Sequence, residues 1–249
     1  MIDIVYVVGL GSLHNNIELR MSLRSICRFG KNIGKVVIVG KPPAWISDEA
    51  VKVFVEDKYG YKHSNILRCI EKVVDDGIVH GDFLYSSDDH FYVKETDFGN
   101  YPYYIKSDHL RHNVLRTDNF YKYHKSLVDT RVFLENHGYP ARDYSQHCNT
   151  HMNAEVVRDH KDLLHETYKL QYGVEPTSFI MNIWSTLPDA PKTTPRKDVK
   201  ICGVSTVREL KLQMGDRECF SIGDAIFRTP AIRDFFAQTY PTKCIFEAD

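Results

Sequence analysis

The sequence predicts an α/β fold with a mostly parallel sheet, and three observations carry that expectation. Segments 2–8 (IDIVYVV), 35–39 (KVVIV) and 83–85 (FLY) are short continuous apolar runs, as in strands covered on both faces. Helical periodicity fills much of the chain between them, so strand and helix alternate through residues 1–99. Polar or glycine-bearing loops follow the strands, which is where sheets of this kind collect ligands.

Taken in order, the first run ends at Gly9-Leu10-Gly11-Ser12. Asn15 or Asn16 then stands where a helix over about 17–29 needs its cap. Leu19, Leu23, Ile26 and Cys27 recur there at helical spacing, and Gly30 and Gly34 bracket the end. Strand 35–39 leads through the turn Gly40-Lys41-Pro42-Pro43 to a third strand at 51–55 (VKVFV). Ser64 or Asn65 opens a helix over about 66–74 that closes near Gly77. The next strand runs into Ser86-Ser87-Asp88-Asp89-His90.

Beyond Gly99 the pattern changes. Residues 101–131 interleave Lys106, Arg111, Arg116, Lys122, Lys125 and Arg131 with tyrosine and histidine. Such a mixture suits a surface for a polyanion or a glycan, although a helical face with snorkelling cations accounts for the same residues more simply. Further helices are predicted at 126–137, 154–171 and 176–185, then a proline-rich loop at 188–195 (PDAPKTTP), a strand at 199–204 and a last helix over about 231–238.

At 249 residues the chain is long enough for one large domain or two small ones, and a single domain, 1–249, is expected. A net charge of −1 gives no global attraction to nucleic acid or an anionic membrane, so such binding would need a local patch. Cys27, Cys69, Cys148, Cys202, Cys219 and Cys244 show no CxxC spacing, which sets aside zinc and thioredoxin-type sites. They read as reduced thiols of a cytoplasmic protein. The apolar opening at 4–10 is too short to span a bilayer and follows Asp3 rather than basic residues, so no integral membrane contact is expected.

The chemistry concentrates at Asp88 and Asp89. Adjacent carboxylates at the end of a buried strand repel and lose solvation unless a cation neutralises them. Magnesium or manganese would do so while leaving positions open for a substrate's phosphates, whereas a solvated turn is the plainer reading. Gly9 and Gly11 follow a strand and precede a helix, but the third glycine of a dinucleotide loop is replaced by Leu13-His14, and no GxxxxGK[ST] occurs. Arg20 and Arg24 share one helical face and could grip a pyrophosphate. His147 and His151 have the spacing of a metal pair on a helix, yet their segment reads as a strand, leaving His151 as a base or phosphate contact. No GxSxG motif points to acyl transfer.

Residues 18–26 (ELRMSLRSI), the strand at 36–39 followed by Pro43-Ala44-Trp45-Ile46, Ser64-Asn65 and the run FLYSSDD ending at Asp89 resemble, in order, blocks of the Stealth family of sugar-phosphate transferases. His151 and the stretch from Phe220 to Asp224, with the tail from Tyr240 to Glu247, are similar to its later blocks. The resemblance implies a GT-A-like core, with 1–99 as the half that binds a nucleotide sugar and 100–249 as the acceptor and catalytic half. It assigns phosphate contacts to Arg20 and Arg24, donor contact to Asn65, a divalent metal to Asp88 and Asp89, and catalytic roles to His151 and Asp224. The family's first-strand TWVDG is absent, since Val7-Val8-Gly9-Leu10-Gly11 stands there, and Gly223 replaces an Asn before Asp224. Without that first carboxylate, sugar transfer from a nucleotide sugar to a hydroxyl of a glycan or modified DNA ranks ahead of sugar-phosphate transfer. A non-enzymatic nucleic-acid or glycan-binding module is the remaining alternative.

Overall fold

A computed structural model of the chain describes residues 1–9, 15–111, 121–196 and 199–248. Strand β1 (Ile2–Val8) leads to helix α1 (Ile17–Phe29), the short β2 (Gly30–Lys31), β3 (Ile33–Gly40) and β4 (Val51–Phe54). Helix α2 (Lys62–Asp75), β5 (Asp82–Ser86), β6 (His90–Tyr92), β7 (Thr96–Asp97) and β8 (Tyr104–Ile105) follow. Next come α3 (Tyr121–Asn136), β9 (Thr150–Asn153), α4 (Ala154–Asp159), α5 (Lys161–Thr167) and α6 (Pro176–Trp184). The chain closes with β10 (Thr194–Pro195), β11 (Lys200–Ile201), α7 (Val207–Met214), β12 (Cys219–Ile222) and α8 (Pro230–Thr239).

The main sheet has the order β4-β3-β1-β5-β9, parallel except for β9, which runs antiparallel to β5. Strand β1 lies at its centre, and successive residues feed different cores. Val5 packs with Val37, Val39 and Phe83 against Leu67, Ile70 and Val74 of α2. Ile4, Tyr6 and Val8 join Val36, Ile38 and Leu84 against Leu19, Leu23 and Ile26 of α1. Burial on both faces explains why β1 reads as an unbroken apolar run, and a one-residue slip would exchange the faces. Gly40 ends β3 at φ 108°, and a Cβ there would collide with the carbonyl oxygen of Val8. Only glycine lets the chain turn away at that point.

A second sheet, β11-β12-β6, stands beside the first. Phe91 of β6 pairs with Phe220 of β12 and packs with Phe227 and Phe236 in a core of its own. The chain therefore passes from β5 to β6 through Ser87-Asp88-Asp89, which makes the acidic turn the bridge between two sheets.

Several elements differ from the sequence expectation. Helix α2 begins at Lys62, so Asn65 lies within its first turn and does not cap it. Asn16 precedes α1 without a capping side-chain bond; it and Asn15 turn through the left-handed region at φ 53°, which Asn tolerates. The helix at 154–171 is two, because His160 leaves helical geometry at ψ 31°. The strand at 199–204 shortens to Lys200–Ile201. In α3 the cations Lys125 and Arg131 pair with Asp129 and Glu135 one turn on, at 2.6 and 2.8 Å. That agrees with the simpler reading of the basic segment, of which Arg116 lies outside the described residues. The six cysteines are free thiols. Among the described residues no helix is long and apolar enough to cross a membrane.

Candidate functional site

A cleft of about 560 Å³ opens where the parallel strands end. One side is formed by Val8 and Gly9 at the end of β1 and by His63, Asn65 and Ile66 at the start of α2. Tyr85, Ser87, Asp88 and Asp89 at the end of β5 and Ser145, Gln146 and His147 before β9 also line the cleft, with Glu175 two residues beyond Gly173, which lies against His63 and Ser64 of α2. The parallel register of β1, β3 and β5 brings their carboxyl ends to this one edge, the usual ligand-binding edge of such sheets.

Asp89 is tied to the second sheet. Its Oδ2 accepts from the Ser221 hydroxyl at 2.9 Å and lies 3.3 Å from Lys200 Nζ, while Oδ1 is 3.9 Å from His90 Nε2. Lys200 and Ser221 are register partners on β11 and β12. Burial works to raise the pKa of Asp89, but Lys200, His90, His147 and the Ser221 hydroxyl outweigh it and hold the carboxyl down to about 2. Lys200 thus supplies part of the neutralisation that adjacent acids require. Asp88 lines the cleft beside it.

The donor set suits a hard divalent ion: magnesium is commonly held by one or two carboxylates together with substrate phosphates. Among the described residues no group of three or more His, Cys, Asp or Glu side chains could hold a metal. An ion here would therefore rely on Asp88, Asp89 and oxygens of a ligand.

Hydrogen bonds fasten Glu175 and the segment before His147 together. Glu175 caps α6 through the Ser178 N–H at 2.7 Å and accepts from the Thr177 hydroxyl at 2.9 Å. Burial raises its carboxyl above the usual range in spite of those bonds. The Thr177 hydroxyl shares its one proton between Glu175 and the Tyr144 carbonyl, 2.9 Å away, which lashes the segment before His147 to the helix. At the start of α2, burial lowers His63 to about 3, and its Nδ1 meets the Ser126 hydroxyl at 2.7 Å. His63 is neutral at physiological pH.

Of the residues singled out by sequence, Gly9, Asn65, Asp88 and Asp89 meet around the cleft. Asn65 uses its amide locally: Oδ1 accepts from the N–H groups of Lys58 and Tyr59 at 3.0 and 2.9 Å, and Nδ2 donates to Tyr59 O at 2.9 Å. Gly11 lies outside the described residues, and Asp224 opens a short 3₁₀ turn that continues to Arg228.

Arg20, Arg24 and His151 are not among the residues lining the cleft. Arg24 makes a two-pronged pair with Glu247 at 2.6 and 2.9 Å, and Arg20 reaches the same carboxylate at 3.2 Å. Arg20 also lies over the Trp45 ring, 4.4 Å from its centroid. Three of the segments that carry the family resemblance therefore meet in one assembly, around the tail. His151 is buried in β9, donates Nε2–H to the Tyr101 carbonyl at 2.7 Å and stacks on Tyr103 at 3.7 Å. Burial lowers its pKa.

Sequence reasoning missed Lys200, Gln146 and Glu175. For Glu175 a signal existed, since an acidic residue before proline marks a helix start. Lys200 had none, because strand pairing alone carries it across 111 positions to Asp89. Compared with known proteins, the sequence matches no family model and no curated protein.

Proposed function

We propose that the protein is a glycosyltransferase with a GT-A-like core, moving a sugar from a nucleotide sugar to a hydroxyl acceptor. The single observation that carries this reading is the cleft at the carboxyl ends of the parallel strands, with Asp88 and Asp89 lining it. The nucleotide would lie along the side formed by Gly9 and the start of α2, and the diphosphate over the acidic turn. A divalent ion held by the two aspartates would add positive charge where the diphosphate departs. Lys200 and Lys62, both lining the cleft, bring further cations to the same anion.

In the reaction the bond between the sugar's anomeric carbon and the diphosphate oxygen breaks, and a bond to the acceptor oxygen forms. The acceptor's proton passes to a base. His147 suits that role, because it lines the cleft and a neutral imidazole nitrogen accepts a proton. Arg20, Arg24 and His151, to which the sequence reading gave donor-binding and catalytic roles in either reaction, have partners elsewhere, so this reading does not draw on them.

The test is a thermal-shift screen of nucleoside diphosphates and nucleotide sugars with and without Mg²⁺ or Mn²⁺, followed by mass spectrometry of the products. Metal-dependent stabilisation and release of a nucleoside diphosphate are expected. Release of a monophosphate would indicate sugar-phosphate transfer. Salt-sensitive polyanion binding that survives Asp88→Asn with Asp89→Asn, without any donor binding, would leave only a binding module.

A further inference from the structure

The cleft carries a buried amide with nothing to bind. Gln146 is 9% exposed and lines the cleft, yet neither Oε1 nor Nε2 has a hydrogen-bond partner. Other buried polar atoms are orphaned too, among them Trp45 Nε1 and His151 Nδ1, but of the described residues with such atoms Gln146 alone lines this cleft. A desolvated donor and acceptor left together are costly, and native proteins seldom keep such a pair without a use.

The surroundings hold Gln146 in place. Tyr144 N–H donates to the Ser178 hydroxyl at 3.0 Å, and Ser145 N–H to Asp143 Oδ1 at 2.9 Å. The N–H of Gln146 itself donates to Tyr144 O at 2.8 Å. The segment is thereby fastened to α6, whose first turn Glu175 caps. A polar group fixed in this way and facing a cavity is pre-organised for a ligand.

The amide's chemistry narrows the ligand group. Phosphate oxygens only accept, so they would satisfy Nε2 and repel Oε1. A sugar hydroxyl both donates and accepts, and two neighbouring hydroxyls can satisfy both ends of one amide. Gln146 also precedes His147, the residue assigned as base. We propose that Gln146 binds hydroxyls of the transferred sugar and so sets sugar specificity. This inference rests on the transferase reading and names the residue that would read the donor's sugar.

The experiment compares wild type with Gln146→Met, which keeps the length and removes both polar atoms, and with Gln146→Leu, which removes both in a shorter side chain and adds no charge beside Asp88, Asp89 and Glu175. Calorimetry with Mg²⁺ would use UDP, GDP, UDP-glucose, UDP-galactose and GDP-mannose, beside thermal melts of each variant. The melting temperature of Gln146→Met should match or exceed that of wild type, since an unpaired buried amide is removed. Its affinity for the productive nucleotide sugar should fall about tenfold, with affinity for the matching nucleoside diphosphate within about twofold of wild type. Should Gln146→Met fail to fold, the same split in Gln146→Leu decides. Parallel weakening of sugar and diphosphate ligands, or no weakening of either, overturns this proposal alone. Absence of binding to every probe by wild type overturns the transferase reading and this proposal with it.

Discussion

Glu247 and Asp89 are both carboxylates held by cations, and they differ in what lies in front of them. Glu247 is sealed, its side chain 1% exposed, with Arg24 gripping both oxygens, Arg20 alongside and the Cys244 N–H donating at 3.1 Å. Around it the tail is stitched to the loop after β3, where Ala248 N–H donates to Trp45 O at 2.8 Å and Ser47 N–H to Phe246 O at 2.9 Å. Asp89 has Lys200, the Ser221 hydroxyl and, at 3.9 Å, His90, keeps 14% of its side chain exposed, and lines the cleft with Asp88. Opposite charges in contact do not by themselves mark a site. Geometry separates the two: the first carboxylate is enclosed by planar guanidinium groups, while the second opens onto a cavity that a charged ligand can enter.

The largest expected effect breaks the sealed assembly. Glu247→Ala strands two arginines and should cost about 3 kcal/mol in urea unfolding, because removing one partner of a buried pair leaves uncompensated charge. The protein that remains folded should bind nucleoside diphosphate as wild type does. Loss of that binding at full occupancy of the native state would show that the two regions are not separate.

Next comes the open carboxylate. Asp88→Asn combined with Asp89→Asn should weaken metal-dependent nucleoside diphosphate binding about 100-fold, or about 2.7 kcal/mol. Unfolding should shift less than in Glu247→Ala. If binding persists and its metal dependence is unchanged, the acidic turn is structural.

A smaller effect follows from protonation. The folded Asp89 carboxyl is held at about 2 against an ordinary value of 3.8. Its contribution is fully present above the unfolded value and is lost as pH falls from about 4 through about 2. The linked stability is about 2 kcal/mol. Acid titration of wild type against Asp89→Asn should show that difference in slope confined to the same window, and Lys200→Met should narrow it by removing the nearest cation.

The smallest expected change is Arg20→Lys, which keeps a charge beside Glu247 but loses the flat guanidinium over Trp45. About 0.5 kcal/mol is expected, since Arg20 is one-third exposed. A loss as large as that of Glu247→Ala would make Arg20, and not Arg24, the chief partner of the tail.

Sequence alone was enough for the local elements of the first half. The run at 2–8, the helical spacing of Leu19, Leu23 and Ile26, and the acids that follow Tyr85 are properties of neighbouring residues, and local backbone preference and burial period express them directly. They were enough to locate Gly9, Asp88 and Asp89 at strand ends. Tertiary structure decided which side chains face the cleft. Arg20 and Arg24 do share a helix face, but that face meets a carboxylate 223 positions from Arg24. His147 and His151 are four residues apart, yet the first lines the cleft before β9 begins and the second lies within the strand against Tyr101 and Tyr103. Lys200 reaches Asp89 only through the pairing of β11, β12 and β6. Periodicity records whether a residue is covered, whereas the identity of what covers it depends on long-range closure that no local pattern encodes.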